Sequence, residues 1–336
     1  EHQIIQRIRE FNPDVICITT NIAIAYASLL HSQLIRKEFP DIKIIIGGPW
    51  ATAEYEKLLK NKHADYVIIG EGEYTLIELI KDVFESGLSP NHIKSLAYLE
   101  NNTVKVNERR PLIEKLDDIP FPDWTHFPKK GYTKLSRVKP VYPILTSRGC
   151  PYECINCTKL VHGTRMRYRS VENVLAELDY LESIGAKEIS IEDDVFNINK
   201  RRAKRILLEI AKRKYPFKIQ LANGIRADFV DELFAKLAYA AGVYKTAFGV
   251  ESGSQVVVNF LKKRLDLKVL PKSIDILHKA HIKVTGYFIF GLPIENMNSL
   301  VHTVNFASKL KFDSVIGFTL VLFPGTELHQ FCESKG

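Results

Sequence analysis

The chain has 336 residues, 46% hydrophobic and 26% charged, a balance that excludes a disordered or fibrous protein and leaves room for two domains. Its 47 Lys and Arg against 39 Asp and Glu give a net charge of +8, too mild at this length to argue for nucleic acid. No apolar run approaches the roughly 18–20 residues of a membrane-spanning helix, and the opening EHQIIQRIRE has no apolar core and no small-residue cleavage site, so a cytoplasmic protein is expected.

The first third alternates apolar runs with helical patterns. Residues 14–20, 42–48 and 66–70 read as buried strands, because near-continuous Ile and Val suit a parallel sheet covered on both faces. Helices are expected over about 23–39 and 73–84, and a hairpin over 95–107 turning at Glu100-Asn101-Asn102. This is a doubly wound, Rossmann-like α/β domain over 1–110. Residues 111–140 are Pro-rich and aromatic without a sustained period and read as a linker, with Phe121, Trp124 and Phe127 calling for burial.

From Val141 a strand–helix unit recurs. Strands are expected at 143–147, 188–193, 217–223, 244–251, 283–290 and 314–323, with amphipathic helices between them; Val171, Val174, Leu175, Leu178 and Leu181 line one face of the first. Six such units with right-handed crossovers make a (β/α)6 partial TIM barrel over 141–336. Chemistry in such folds sits at the C-terminal ends of the strands.

The strongest signal falls at one of those ends. Cys150, Cys154 and Cys157 form C-x3-C-x2-C just after the first barrel strand, three of the chain's five cysteines within eight residues. Such thiolates hold an iron–sulfur cluster or a zinc ion, and three ligands on one cuboidal cluster leave one iron open to chelate a substrate. A closed structural zinc site with His162 as fourth ligand is the alternative that spacing allows, although the top of a barrel strand is a catalytic address.

The order of segments (Gly47-Gly48-Pro49, Gly70-Glu71-Gly72-Glu73, PFPDW, RGCPYEC, Glu192-Asp193-Asp194, Glu251-Ser252, Gly291-Leu292-Pro293, FPGT) resembles that of the cobalamin-dependent radical S-adenosylmethionine (SAM) enzymes. The resemblance spans essentially the whole chain and puts the cobalamin module's first strand ahead of residue 1. It implies that Cys150, Cys154 and Cys157 bind a [4Fe–4S] cluster. Glu192, Asp193 and Asp194 fall where the family meets the amino end of SAM. Asn223, Arg226, Glu251 and Ser252 end the third and fourth strands, where ribose and methionyl contacts lie; Lys263 matches a basic position facing the SAM carboxylate, and Gly291 the backbone beside adenine. Thr19, Thr20, Gly47, Gly48, Pro49, Gly70, Glu71 and Gly72 fall at the strand ends that hold cobalamin. In the family the residue before the last cysteine is usually aromatic; here it is Asn156.

The implied activity is reductive cleavage of SAM to a 5′-deoxyadenosyl radical and methylation of an unactivated carbon, with methylcobalamin as donor. The implied partners are a small-molecule or peptide substrate and an electron donor such as flavodoxin or ferredoxin. Radical cyclisation without methyl transfer, or a cobalamin-binding sensor with a zinc-stabilised barrel, are the other readings. A tRNA methylthiotransferase shares the cluster motif but needs first-domain cysteines that Cys17 alone does not supply.

A dinucleotide site is a poor fit, since Gly70-Glu71-Gly72 lacks its third glycine, with Thr75 there, and Glu71 and Glu73 would repel a pyrophosphate. The basic run Lys200–Arg205 reads as the solvated face of a helix whose buried stripe is Ala203, Ile206, Leu207 and Ile210. Arg165, Arg167 and Arg169 follow the cysteine loop and face either an anionic substrate or linker acids. Cys17, within an apolar strand, is expected in the core.

Overall fold

The computed structural model describes residues 2–127 and 138–335, so part of the expected linker lies outside the described residues. The chain divides into two compact units, one of residues 1–113, 156–163 and 322–336, the other of 114–155 and 164–321.

The first unit runs α1 (His2–Phe11), β1 (Val15–Thr19), α2 (Ala25–Glu38), β2 (Lys43–Gly47), α3 (Pro49–Lys60), β3 (Tyr66–Ile68), α4 (Glu73–Glu78, continued by a π-helical stretch Leu79–Glu85), β4 (Leu96–Glu100) and β5 (Thr103–Val106). Its sheet has the order β1-β2-β3-β4-β5, parallel through β3 and antiparallel beyond. The Ile run of β2 divides between two cores. Ile44 and Ile46 pack with Leu58, Leu59 and Val67, while Ile45 packs with Ile68, Leu79, Ile93 and Leu96 on the opposite face. A strand buried on both faces has no polar alternation to show, as the sequence predicts. The sequence reading leaves 49–60 unassigned; Pro49 in the first turn starts α3 there, its fixed φ suiting a position with no N–H to satisfy. Cys17 corrects an expectation: it is exposed, because β1 is an edge strand on which Ile16 and Ile18 take the packed face.

Buried Ser32 on α2 and buried His63 after α3 meet at 2.8 Å (Oγ to Nδ1). Burial, with the charge of Arg36, holds His63 below the usual imidazole range. A histidine kept neutral by the fold takes up its proton on unfolding, so this unit loses stability as pH falls below about 6.5. The difference in unfolding free energy between wild type and His63→Gln should therefore shrink between pH 7.5 and 5.5 in parallel denaturant titrations; a constant difference would contradict it.

The second unit starts with β6 (Val141–Ile144) and a two-residue antiparallel pair, β7 (Ser147–Arg148) with β8 (Arg167–Tyr168). Then follow α5 (Val171–Ser183), β9 (Glu188–Ile191), α6 (Lys200–Arg213), β10 (Lys218–Leu221), α7 (Glu232–Ala240), β11 (Val243–Glu251), α8 (Gln255–Phe260), α9 (Leu270–Lys279), β12 (Lys283–Phe290), α10 (Met297–Lys309) and β13 (Ser314–Thr319). The last helix, α11 (Glu327–Glu333), belongs to the first unit.

Six parallel strands in the order β6-β9-β10-β11-β12-β13 form the sheet, and β6 and β13 do not pair with each other. This is the open (β/α)6 partial barrel expected from the six repeats. The core is continuous from Val174, Leu178 and Leu181 of α5 through Ile189, Ile206, Leu207, Ile219 and Phe234 to Val284 and Phe288. β13 ends at Thr319, four residues short of expectation, and all six of its residues are exposed. Of the linker aromatics, Trp124 enters the core against Tyr142 at 5.1 Å between ring centres and Phe121 lies under the Arg169 guanidinium, but Phe127 remains exposed.

Candidate active site

The cysteine loop leaves the sheet at the C-terminal end of β6. None of the five cysteines is in a disulfide; Cys150 and Cys154 are half-buried and Cys157 is exposed. The donor set suits an iron–sulfur cluster: three soft thiols on one short loop, whose spacing allows them three corners of one cuboid. Among the described residues no three His, Cys, Asp or Glu side chains are already grouped for a metal, so chemistry and spacing carry the assignment rather than a preformed cage.

Between Cys150 and Ile155 the loop is tied to the turn after α8. Ile155 N–H donates to Leu261 O at 3.1 Å, Glu153 pairs with Arg264 at 2.5 Å, and the Tyr152 ring lies 4.3 Å from the Arg226 guanidinium. Arg226 corrects an expectation. Its guanidinium donates to both carboxylate oxygens of Asp228 and to the carbonyls of Lys263 and Arg264, so it braces the loop and has no fork left for SAM.

The acids after β9 separate by role. Glu192 accepts from Ser190 Oγ at 2.6 Å, and its carbonyl accepts from Asn223 Nδ2 at 2.7 Å. Asp194 is exposed and accepts from Gly149 N–H at 3.0 Å. Asp193 is 1% exposed, and three donors reach its carboxylate, Thr146 N–H on Oδ1 and the hydroxyls of Thr146 and Ser147 on Oδ2, each at 2.6 Å. Burial pushes its pKa up, against the pull of those bonds and of Arg202. A contact from Asp193 to an ammonium is therefore corrected too, since no acceptor face is exposed.

At the end of β11 a register shift between Gly249 and Glu251 and a φ of +69° at Glu251 re-aim that side chain. Its Oε1 accepts from Lys263 Nζ at 2.5 Å. Burial opposes the ammonium, but the charge and hydrogen bond of Glu251 outweigh it, so the Lys263 pKa is raised. Lys263 is thus held in a half-buried ion pair. Ser252 is fully buried on Thr303 Oγ (3.0 Å) and Ser254 N–H (3.2 Å), which corrects it from ligand contact to packing. Gly291, at φ +90°, has open space where a Cβ would stand, as an approach to backbone requires.

The expected cobalamin residues fall at the ends of β1, β2 and β3, which are neighbours in the sheet. Thr20 N–H donates to Gly47 O at 2.9 Å, Trp50 N–H to Thr20 O at 3.2 Å, and Gly70 N–H to Thr52 Oγ at 3.0 Å. Thr19 is exposed and Thr20 buried. Pro49 opens α3, and Gly72 caps α4 with Ile68 at 3.2 Å from its Cβ position. Two expectations change. Gly48 is glycine because of the chain itself: at φ +100°, a Cβ there would lie 2.6 Å from Thr20 O. Glu71 is 8% exposed and accepts from Ile113 N–H at 2.8 Å, a bond that fixes the exit from this unit. Gly48→Ala should lower unfolding free energy by about 3 kcal/mol, measured in denaturant without cobalamin, because strain and clash are both internal; loss of cobalamin binding at unchanged stability would contradict that.

Sequence reasoning missed Thr146, Ser147, Tyr152 and Arg202. Arg202 belongs to the run read as a solvated face, yet it donates to Thr146 O at 2.7 Å and Arg169 O at 2.8 Å. Arg165 pairs with the linker acid Glu114 at an exposed position, and Arg169 pairs with Glu177 on α5 at a buried one.

An open six-stranded parallel barrel with three cysteines after its first strand, preceded in the chain by a doubly wound sheet with glycine-rich strand ends, defines a class that joins a radical SAM domain to a cobalamin module. Residues 144–307 match the radical SAM superfamily, and residues 1–80 match the B12 binding domain. The uncharacterized methyltransferase PH0819 of Pyrococcus horikoshii is 32% identical over 96% of this chain and 70% of its own length. Cytidylyl-2-hydroxyethylphosphonate methyltransferase of Streptomyces wedmorensis is 26% identical over 100% of this chain and 70% of its own. The structure of the radical SAM methyltransferase TsrM from Kitasatospora setae, with cobalamin and [4Fe–4S] cluster bound, superposes with a TM-score of 0.78 at 21% identity over 96% of this chain; the chain spans 65% of TsrM, and this likeness bears on fold alone. The chain belongs to the cobalamin-dependent radical SAM methyltransferase family. The cofactors of that family are a [4Fe–4S] cluster, SAM and cobalamin. Among the described residues no helix is long and apolar enough to cross a membrane.

Proposed function

We propose that this chain methylates an unactivated carbon of a small-molecule or peptide substrate, with residues 1–110 as the cobalamin module, 111–140 as linker and 141–336 as the radical SAM barrel. The observation that carries this reading is the three-thiol loop at the C-terminal end of the first strand of an open parallel barrel, in a chain that also carries a B12 binding domain. When bound, the cluster supplies the electron that cleaves SAM and cobalamin carries the methyl group.

The work of the chain is placement. Cys150, Cys154 and Cys157 hold the cluster. Glu192, Asp194 and Asn223 flank the amino end of SAM, an ammonium that carboxylates suit. Glu251 and Lys263 form a paired acid and base for its ribose and carboxylate, and Gly291 lets adenine reach backbone. Thr19, Thr20, Gly47, Pro49, Gly70 and Gly72 border the cobalamin crevice at the strand ends. A flavodoxin or ferredoxin supplies the electron, and the cytoplasm, where thiols stay reduced, is the compartment.

Anaerobic reconstitution followed by incubation with SAM, dithionite and hydroxocobalamin tests the reading. Formation of 5′-deoxyadenosine together with S-adenosylhomocysteine supports it. An intact cluster giving neither product overturns it, and 5′-deoxyadenosine alone would select rearrangement over methyl transfer.

A further inference from the structure

We infer that Asp193 is a positioning residue for the cysteine loop: it fixes the segment that delivers Cys150. The inference rests on the reading of Cys150, Cys154 and Cys157 as cluster ligands.

The sheet ladder of β6 stops at Ile144, and Leu145–Gly149 must turn away from the sheet to carry the cysteines outward. Ser147 and Arg148 pair through backbone with Tyr168 and Arg167, and Arg169 N–H donates to Thr146 O; side chains meet the rest of this segment's polar groups described here. Asp193 takes Thr146 N–H and the hydroxyls of Thr146 and Ser147. Asp194 takes Gly149 N–H, immediately before Cys150. Arg202, from α6, donates to Thr146 O and lies 3.2 Å from Thr146 Oγ, and Arg169 donates to Leu145 O at 2.9 Å.

A carboxylate only 1% exposed is retained in a fold where fixed hydrogen-bond partners replace its lost water. Here those partners are consecutive residues of one limb, three to four positions ahead of the first ligand. Hydrogen bonds to an anion are short and directional, so the clamp sets where the chain leaves the sheet and hence where the Cys150 Cα stands. Groups that orient a metal's ligands change metal retention by about 10–100-fold when removed.

The test compares wild type, Asp193→Ala, Asp193→Asn and Ser147→Ala, each reconstituted anaerobically without SAM. The readouts are iron per chain, the rate of bleaching by a ferrous chelator, and the electron paramagnetic resonance spectrum of the reduced cluster. Asp193→Ala is expected to bleach about tenfold faster and to shift the spectrum. Asp193→Asn should stay within about threefold of wild type, because its amide oxygen still accepts from Thr146 N–H while the two hydroxyls turn to accept from its Nδ2. The core-cavity variant Leu277→Ala, in α9, controls for lost stability and should bleach as wild type does.

A SAM contact would behave otherwise: bleaching and spectrum without SAM unchanged in Asp193→Ala, with only SAM affinity reduced. That result overturns the proposal, as does bleaching in Leu277→Ala as fast as in Asp193→Ala. If Asp193→Ala does not fold, Ser147→Ala decides, since it removes one clamp donor and leaves the acid in place; wild-type bleaching there overturns the proposal. Failure of wild type itself to retain iron would sink the reading of the cysteines instead.

Discussion

Cys154→Ala should reduce the iron retained after reconstitution from about four per chain to near zero and abolish 5′-deoxyadenosine formation. Two thiolates on one loop cannot hold a cuboidal cluster that needs three, whereas the chain without metal loses only one half-buried thiol. Its unfolding free energy should stay within about 0.5 kcal/mol of wild type. Cys150→Ala and Cys157→Ala should behave alike. His162→Ala separates the cluster from a closed zinc site, because the cluster reading leaves iron content unchanged in that variant. Were His162→Ala to strip the metal as fully as Cys154→Ala, the uncapped corner on which SAM cleavage depends would not exist.

Lys263→Met should destabilise the metal-free chain by about 3 kcal/mol, because it strands the Glu251 carboxylate where water reaches it poorly. The two side chains are 18% and 14% exposed and stand at 2.5 Å, so neither partner has ready solvent to replace the other. A loss of that size lowers the melting temperature by roughly 10 °C for a domain of this length. The double variant Lys263→Met, Glu251→Leu should recover most of the loss, since an apolar pair of similar volume carries no desolvation penalty. Thermal denaturation of the four proteins completes the cycle; if the double variant falls as far as the sum of the single ones, the pair is not coupled and its role at the end of β11 is wrong.

The strands, the helix faces and the cysteine loop were readable because their signals are local. The Ile run of β2, the stripe Val171-Val174-Leu175-Leu178-Leu181 and the cysteine spacing each lie within one element, and the structure buries or exposes them much as periodicity requires. Where the reading failed, the partner was distant in sequence. Asp193 meets Thr146 and Ser147 more than forty residues away, and Arg226 meets Lys263 and Arg264 nearly as far off. Ser252 looks like a ligand contact until Thr303 arrives from α10. Gly48 looks like room for a ligand until Thr20 fills it.

The sequence by itself determined the class of fold, the two modules and the gathering of three cysteines on one short loop, since hydrophobic period and residue spacing act over a few residues. Only the tertiary structure decided which polar residues at the strand ends remain available to a ligand. Hydrogen-bonding capacity is finite, and its partners come from other strands, so a carboxylate in a motif becomes a clamp or a contact according to what the sheet brings beside it.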